Sequence, residues 1–271
     1  LEGKPDTVER YSETFKCDMT YYAVWEQEYN IITGVCGDNL TWSLNIDTGE
    51  FVISGTGDMY DEEPAWVEYL SFIKSVTVEE GATSIGETAF FNSTSLTDVS
   101  LPDGLKEIGE YAFHGCSALT DISIPGSVET IGNNAFEMSG LTSITIPEGV
   151  KTIGDYAFDY CPSLETVSIP DTVTDIGDFA FRWCFALKSI TVDPANTAYS
   201  SDEYGVLFNK DKTKLIQYSV GNERTGYTIP ESVTELGVQS FSACSSLKSI
   251  TVPGNVKTIG HSVFEACKEL E

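Results

Sequence analysis

The sequence predicts a strand-rich α/β solenoid, and three observations carry that prediction. A unit of about 23 residues recurs from Ile73 to the C-terminus, the period expected when each unit packs only on its neighbours. Within a unit the apolar residues first alternate with polar ones, as in a half-buried strand, and then fall at roughly helical spacing. The same side chains also return at the same places from copy to copy.

The cleanest copy, Leu141 to Ser163, reads L-x-x-I-x-I-P-x-x-V-x-x-I-G-x-x-A-F-x-x-C, with Leu141, Ile144, Ile146, Pro147, Val150, Ile153, Gly154, Ala157, Phe158 and Cys161 at the named places. Leu141, Ile144 and Ile146 face inward on a strand, with Ser143 and Thr145 outward. Pro147 ends that strand, Val150 and Ile153 form a second short apolar pair, and Gly154 is expected to permit a tight bend. Ala157, Phe158 and Cys161 then close the unit with a short helical or 3₁₀ turn on the convex side. A lone unit buries too few apolar side chains to offset its backbone entropy, so stacking must supply the remainder.

Residues 1–35 carry no repeat and hold Tyr11, Phe15, Tyr21, Tyr22, Trp25 and Tyr29, a segment left unassigned. Over 36–72, Leu40, Trp42 and Leu44 alternate with polar residues, Asp47 to Glu50 make a turn and Phe51 to Ser54 return, a β-hairpin signal. Such a hairpin would cap the first repeat, and 58–72 would link it to the array. The array occupies 73–271, and Leu270 begins a further copy. Its third copy, Leu119 to Gly140, is one residue short. One unit is interrupted at about 193–229, where Val206-Leu207-Phe208, a polar turn at 209–214 and Leu215 to Tyr218 read as a hairpin projecting from one edge.

The pattern from Ile169-Pro170 through Leu187 resembles the BspA-like leucine-rich repeat of surface and secreted proteins from gut and oral bacteria and some mucosal parasites. Cys36 to Trp42 (C-G-D-N-L-T-W) with Ile53 to Gly57 (I-S-G-T-G) is similar to the lead-in module before such arrays in Gram-positive gut bacteria, and Val206 to Asp211 is similar to an insertion common in the family. The resemblance covers about 36–271. It implies a right-handed leucine-rich-repeat solenoid with a strand-lined concave side, secreted or at the cell surface, and adhesion to host matrix proteins or to other bacteria in some members. It transfers no catalytic residues.

Composition narrows the partners. The net charge is −27, which argues against nucleic acid and anionic lipid, since phosphate-binding surfaces need excess Lys and Arg. No run of eighteen apolar residues occurs, so no membrane insertion is expected. Residue 1 is not methionine, which fits a processed or excised chain. Five of the seven cysteines, Cys116, Cys161, Cys184, Cys244 and Cys267, sit at the repeat's own position and read as buried small hydrophobes. Their spacing excludes CxxC metal chemistry. Cys17 and Cys36 lie outside the repeats and could pair in an exporting cell.

Chemistry is not signalled. His114 and His261, the only histidines, fall at different places and read as surface residues. Gly55-Thr56-Gly57 lacks the third glycine of a dinucleotide loop, no G-K-[ST] or calcium loop occurs, and the carboxylates are spread through the turns. No enzyme activity, cofactor or metal is therefore expected.

Two faces are candidates for binding a protein or glycoprotein, host-derived ones included, with a carbohydrate module as the alternative. Outward strand positions give Ser75, Thr77, Asp98, Ser100, Asp121, Ser123, Ser143, Thr145, Thr166, Ser168, Ser189 and Thr191, continued by Ser249 and Thr251. These read either as strand propensity with Ser/Thr ladders or as a hydroxyl-rich concave floor. Tyr111, Tyr156 and Phe179 share the place before Ala-Phe, while Tyr160 and Trp183 share the place before cysteine. They read either as packing between coils or as an exposed aromatic ridge suited to protein hot spots or sugar stacking.

Overall fold

The structure is a computed structural model that describes residues 30–61 and 63–271. Three antiparallel strands open it: β1 (Ile31–Val35), β2 (Asn39–Asn45) and β3 (Glu50–Thr56). Residues 31–35, in the segment left unassigned, thus supply a strand, because Ile31 to Val35 pair with Thr41 to Asn45. β3 then runs parallel to β4 (Ser75–Val78), so the opening strands and the first coil share one sheet. A 3₁₀ helix at Val67–Phe72 bridges them. Cys36 is buried, and burial pushes its thiol up to about 11. Its suggested partner Cys17 lies outside the described residues.

From β4 onward the chain winds as a strand-rich solenoid. A regular coil contributes a strand to a first sheet and a two-residue strand to a second, paired in parallel one repeat apart, as in Thr166↔Ser189 and Thr152↔Asp175. The second sheet runs unbroken through five coils, from Ser84–Ile85 to Asp175–Ile176. The first sheet does not. Residues 121–123 of the short third copy adopt no strand, and the sheet resumes at Ser143–Thr145. Asp121 and Ser123 are therefore exposed but stand outside the strand ladder.

Apolar side chains of the repeat fill the space between the sheets. Phe90, Phe113, Phe136, Phe158 and Phe181 stack along the axis at 5.3–5.6 Å between ring centroids, with interplanar angles of 7–14°. Trp66 closes one end against Phe51 and Phe90, its indole N–H donating to the Ala89 carbonyl at 2.7 Å. The repeat thiols are buried at four of five coils and also bond: Cys116, Cys161 and Cys184 donate to the carbonyls of Phe90, Phe136 and Phe158 at 3.1–3.2 Å.

Two local expectations need correction. The closing segment is not a helix; among the described residues the 3₁₀ helix at Val67–Phe72 is the only one. Alternate amides instead leave the coil. Tyr111, Phe113 and Gly115 donate to Asn133, Ala135 and Glu137 of the next coil, while Ala112, His114 and Cys116 close local turns onto Gly109, Tyr111 and Phe113. Such alternation requires left-handed residues, and each regular coil supplies two, for example Tyr156 and Tyr160 at φ 57° and 53°. The repeat glycine serves close approach rather than a bend: a Cβ on Gly154 or Gly177 would lie 2.6 Å from the carbonyl carbon of the preceding coil's glycine.

The interruption is also built differently from a projecting hairpin. Tyr199–Ser201, Leu207–Asn209 and Lys214–Gln217 form an antiparallel meander, and the last of these lies parallel to Glu235–Leu236 in the second sheet's place. Val206, Leu207, Phe208, Leu215 and Tyr218 are buried. Their apolar area is hidden within the coil stack instead of on an exposed arm. The buried core divides here into two clusters, one reaching Leu187, Ile190 and Leu207, the other starting from Val206 and Phe208.

Candidate functional site

The turn side of the coils exposes large apolar side chains, Met138, Tyr160 and Phe185 among them. All five ridge residues are at left-handed positions, Tyr111, Tyr156, Tyr160, Phe179 and Trp183 having φ between 53° and 61°. Two neighbouring coils bring four of them together. Tyr156 stacks on Phe179 at 5.2 Å and 23°, and Tyr160 meets Trp183 edge-on at 6.2 Å and 78°. Tyr111 stands apart with Phe91 and His114, because the third copy puts Asn134 and Met138 at the ridge places.

An ion pair locks this group. Asp159 is 2% exposed and Arg182 21%, and the guanidinium bonds both carboxylate oxygens at 3.1 and 2.5 Å. The same guanidinium lies over the rings of Trp183, Tyr156 and Phe179 at 4.2, 5.0 and 5.1 Å. Burial pushes the Asp159 carboxyl above its ordinary range despite the pull of Arg182, and the bond to Asp159 holds Arg182 further up. Both residues occupy the place after the repeat phenylalanine, where earlier copies hold His114 and Glu137. His114, expected at the surface, has a side chain only 13% exposed, stacks on Phe91 at 4.6 Å and lies 3.2 Å from Glu137. A side chain at this place is flanked by its equivalents on adjoining coils, which shield it from solvent. Reading that column across copies would have found the ion pair from sequence.

Beyond the ion pair, Met138, Tyr160 and Phe185 are 44%, 40% and 48% exposed. Tyr160, Trp183 and Phe185 form one wall of a cleft of about 440 Å³, whose other wall holds Ser242, Ser245, Glu265 and Lys268 from coils beyond the interruption. No sequence periodicity announces this cleft, because the interruption creates it. Phe185, Ser245, Glu265 and Lys268 had no signal as site residues.

The strand floor is a polar ladder. Ser143, Thr166 and Ser189 pair in one row, and Thr145, Ser168 and Thr191 in the next. Ser75 and Ser189 are half-buried; Thr77, Asp98, Ser100, Ser143, Thr145, Thr166, Ser168 and Thr191 are exposed, as are Ser249 and Thr251. Some of this polarity is spent locally: Thr191 donates to the Val167 carbonyl, and Asp98 accepts from Thr97. Among the described residues no three His, Cys, Asp or Glu side chains are grouped to hold a metal, and no helix is long and apolar enough to cross a membrane.

The model of the BspA-type leucine-rich repeat region matches residues 68–188 and 219–271, in six copies. The chain belongs to the BspA-type leucine-rich repeat family. The match leaves out residues 189–218, which hold most of the interruption, and the opening strands. A leucine-rich repeat protein from Eubacterium ventriosum shares 31% identity and superposes with a TM-score of 0.81 over 86% of this chain and 63% of its own. The chain thus spans somewhat less than two thirds of that relative. A leucine-rich cell surface protein from Faecalibacterium prausnitzii matches at 25% identity and TM-score 0.56, over 89% of this chain and 81% of its own. The pneumococcal vaccine antigen PcpA, at 23% identity and TM-score 0.61 over 89% of this chain and 69% of its own, shares the fold. No curated protein matches. BspA-type coils of this kind make a repeat scaffold, and bacterial surface proteins are among its structural neighbours.

Proposed function

We propose that this BspA-type chain is a non-enzymatic recognition unit, secreted or displayed at a bacterial surface, that binds a protein or glycoprotein through the turn face of its fourth, fifth and later coils. The carrying observation is the exposed aromatic group at Tyr160 and Phe185, set beside Trp183 on a framework fixed by the Asp159–Arg182 pair. Aromatic anchors on a rigid support are what binding hot spots are made of. A flat floor of serines and threonines offers little area that gains from leaving water. Support for a non-enzymatic role comes from the histidines. His114 is enclosed by Phe91 and Glu137, and His261 is exposed on a distant coil, so the two do not share a site among the described residues.

Beads coated with the chain should adhere to mucus-coated and matrix-protein-coated surfaces. Tyr160→Ala/Phe185→Ala should lower that adhesion at least tenfold, while Thr145→Ala/Ser168→Ala leaves it within twofold. The opposite ranking would move the binding face to the floor. Turnover of any substrate abolished by a point substitution would end the non-enzymatic reading.

A further inference from the structure

The interruption leaves one coil without its turn. In a regular coil the second-strand isoleucine and the stacking phenylalanine are five residues apart, as in Ile153 and Phe158. Gly177 N–H donates to Ile153 and Phe158 N–H to Ala180. In the interrupted coil the same two bonds run from Gly237 to Leu215 and from Tyr218 to Ser240, only three residues apart. The chain then turns away, with Gly221 N–H bonding the Leu187 carbonyl and Ser219 the Gly205 carbonyl.

Three consequences follow on the turn side. The N–H groups of Phe179, Phe181 and Trp183, which on earlier coils reach the next coil, have no acceptor among the described residues. The phenylalanine stack stops at Phe181 and resumes with Tyr218 on Phe241 at 5.2 Å. The Ser242 carbonyl, at the place where Arg182 accepts from Tyr160, receives no backbone N–H among the described residues and only the Cys244 thiol at 3.8 Å. The aromatic cleft lies across this gap.

Resting on the recognition reading above, we propose that this gap is a saccharide subsite for a neutral glycan. A pyranose has an apolar C–H face and a rim of hydroxyls, and the cleft has matching walls. Tyr160 is set at 78° to Trp183 and 83° to Phe185, so ring faces and edges form a corner, and Ser245, Glu265 and Lys268 stand opposite. Among the described residues the Tyr160 hydroxyl and the Trp183 indole N–H have no hydrogen-bond partner and Lys268 forms no ion pair, and all three side chains line the cleft. At about 440 Å³ the cleft falls within the roughly 300–1,000 Å³ of small-ligand sites. An added peptide strand is disfavoured because the strand edges at the gap are taken. Lys214–Gln217 is paired on both sides, and Ile176 N–H donates to the Tyr199 hydroxyl at 2.8 Å. The −27 charge disfavours sialylated or sulfated sugars.

The test is an array of defined neutral and sialylated oligosaccharides, with hits re-measured by calorimetric titration. Saturable binding confined to neutral glycans is expected, weakened at least tenfold in Trp183→Ala and in the exposed-wall variants Phe185→Ala and Lys268→Gln. Circular dichroism on each variant checks the fold, and the two exposed-wall variants decide the matter if Trp183→Ala unfolds. Silence across the neutral set, preference for sialylated glycans, or hits indifferent to Phe185→Ala and Lys268→Gln would overturn the subsite. If the array is silent but bead adhesion still depends on Tyr160 and Phe185, the saccharide falls and protein recognition stands. If that adhesion is also lost, both fall.

Discussion

Replacing Arg182 with methionine keeps much of the side-chain volume and removes the one cation bonded to Asp159 among the described residues. The carboxylate, 2% exposed, would lose two bonds at 3.1 and 2.5 Å and stay near Glu137, which already raises it. Removing one partner of a buried pair costs about 3–5 kcal/mol. Loss of the guanidinium from three aromatic faces adds about 0.5–1 kcal/mol. Arg182→Met should therefore lower stability by about 5 kcal/mol at pH 7, read from urea unfolding. The pH dependence gives a second check. Asp159 has a folded-state pKa above its unfolded one, so its favourable contribution is present at low pH and is lost as pH rises through the folded value. Without Arg182 that folded value climbs further, and each unit adds about 1.4 kcal/mol of loss at neutral pH. The deficit of the variant should accordingly be smallest near pH 4 and grow toward pH 7, and Asp159→Asn in the same background should recover most of it. A deficit below about 1 kcal/mol with no growth toward pH 7 would refute the account.

Phe136→Ala, in the middle of the ring stack, should cost about 3–5 kcal/mol by thermal unfolding. Ala266→Gly, at an exposed left-handed position with φ 57°, should stabilise by a few tenths to about 1 kcal/mol, since glycine adopts that backbone freely. Gly115→Ala should do the reverse by at least about 1 kcal/mol, because its φ is 69° and the new Cβ would meet Asn92 Oδ1. Among the described thiols, Cys267 should react first with a chromogenic disulfide at pH 8, its pKa being drawn down to about 7 by the adjacent Cys244 thiol. Burial pushes Cys116 up to about 12, so its contribution to stability holds below pH 9 and is lost as pH rises from 9 to 12. Cys116→Ala should flatten that alkaline loss.

Much of the scaffold is legible because one unit's apolar pattern is imposed on every copy. Leu141, Ile144, Ile146, Val150, Ile153, Ala157 and Phe158 are all buried, as period-two and helical spacing indicate. The same spacing misleads at Tyr156 and Tyr160. Residues that would lie on a helix face instead take left-handed backbone, because bonds to the next coil replace bonds along a helix. Short-range pattern cannot weigh a partner 22 residues away. The third copy loses its first-sheet strand although Ile122 and Ile124 remain buried, showing that side-chain burial outlasts the backbone ladder. The ridge was visible as a column of aromatics. Its cleft was not, since that depends on a coil that lacks its turn and spans the two bonded positions with two residues fewer than the others.

Opposite sides of a coil bond in opposite directions. On the turn side Tyr156 and Phe158 donate forward to Asp178 and Ala180, whereas at the second strand Lys151 and Gly154 donate backward to Glu129 and Ile131. Every junction between regular coils is consequently a two-way clasp of the same polarity, and any regular unit can follow any other but only in one orientation. In evolutionary terms an in-frame duplication or deletion of one repeat makes no new kind of interface. The array can change length by unequal recombination without redesign, and selection can act on a single altered coil while its neighbours remain interchangeable.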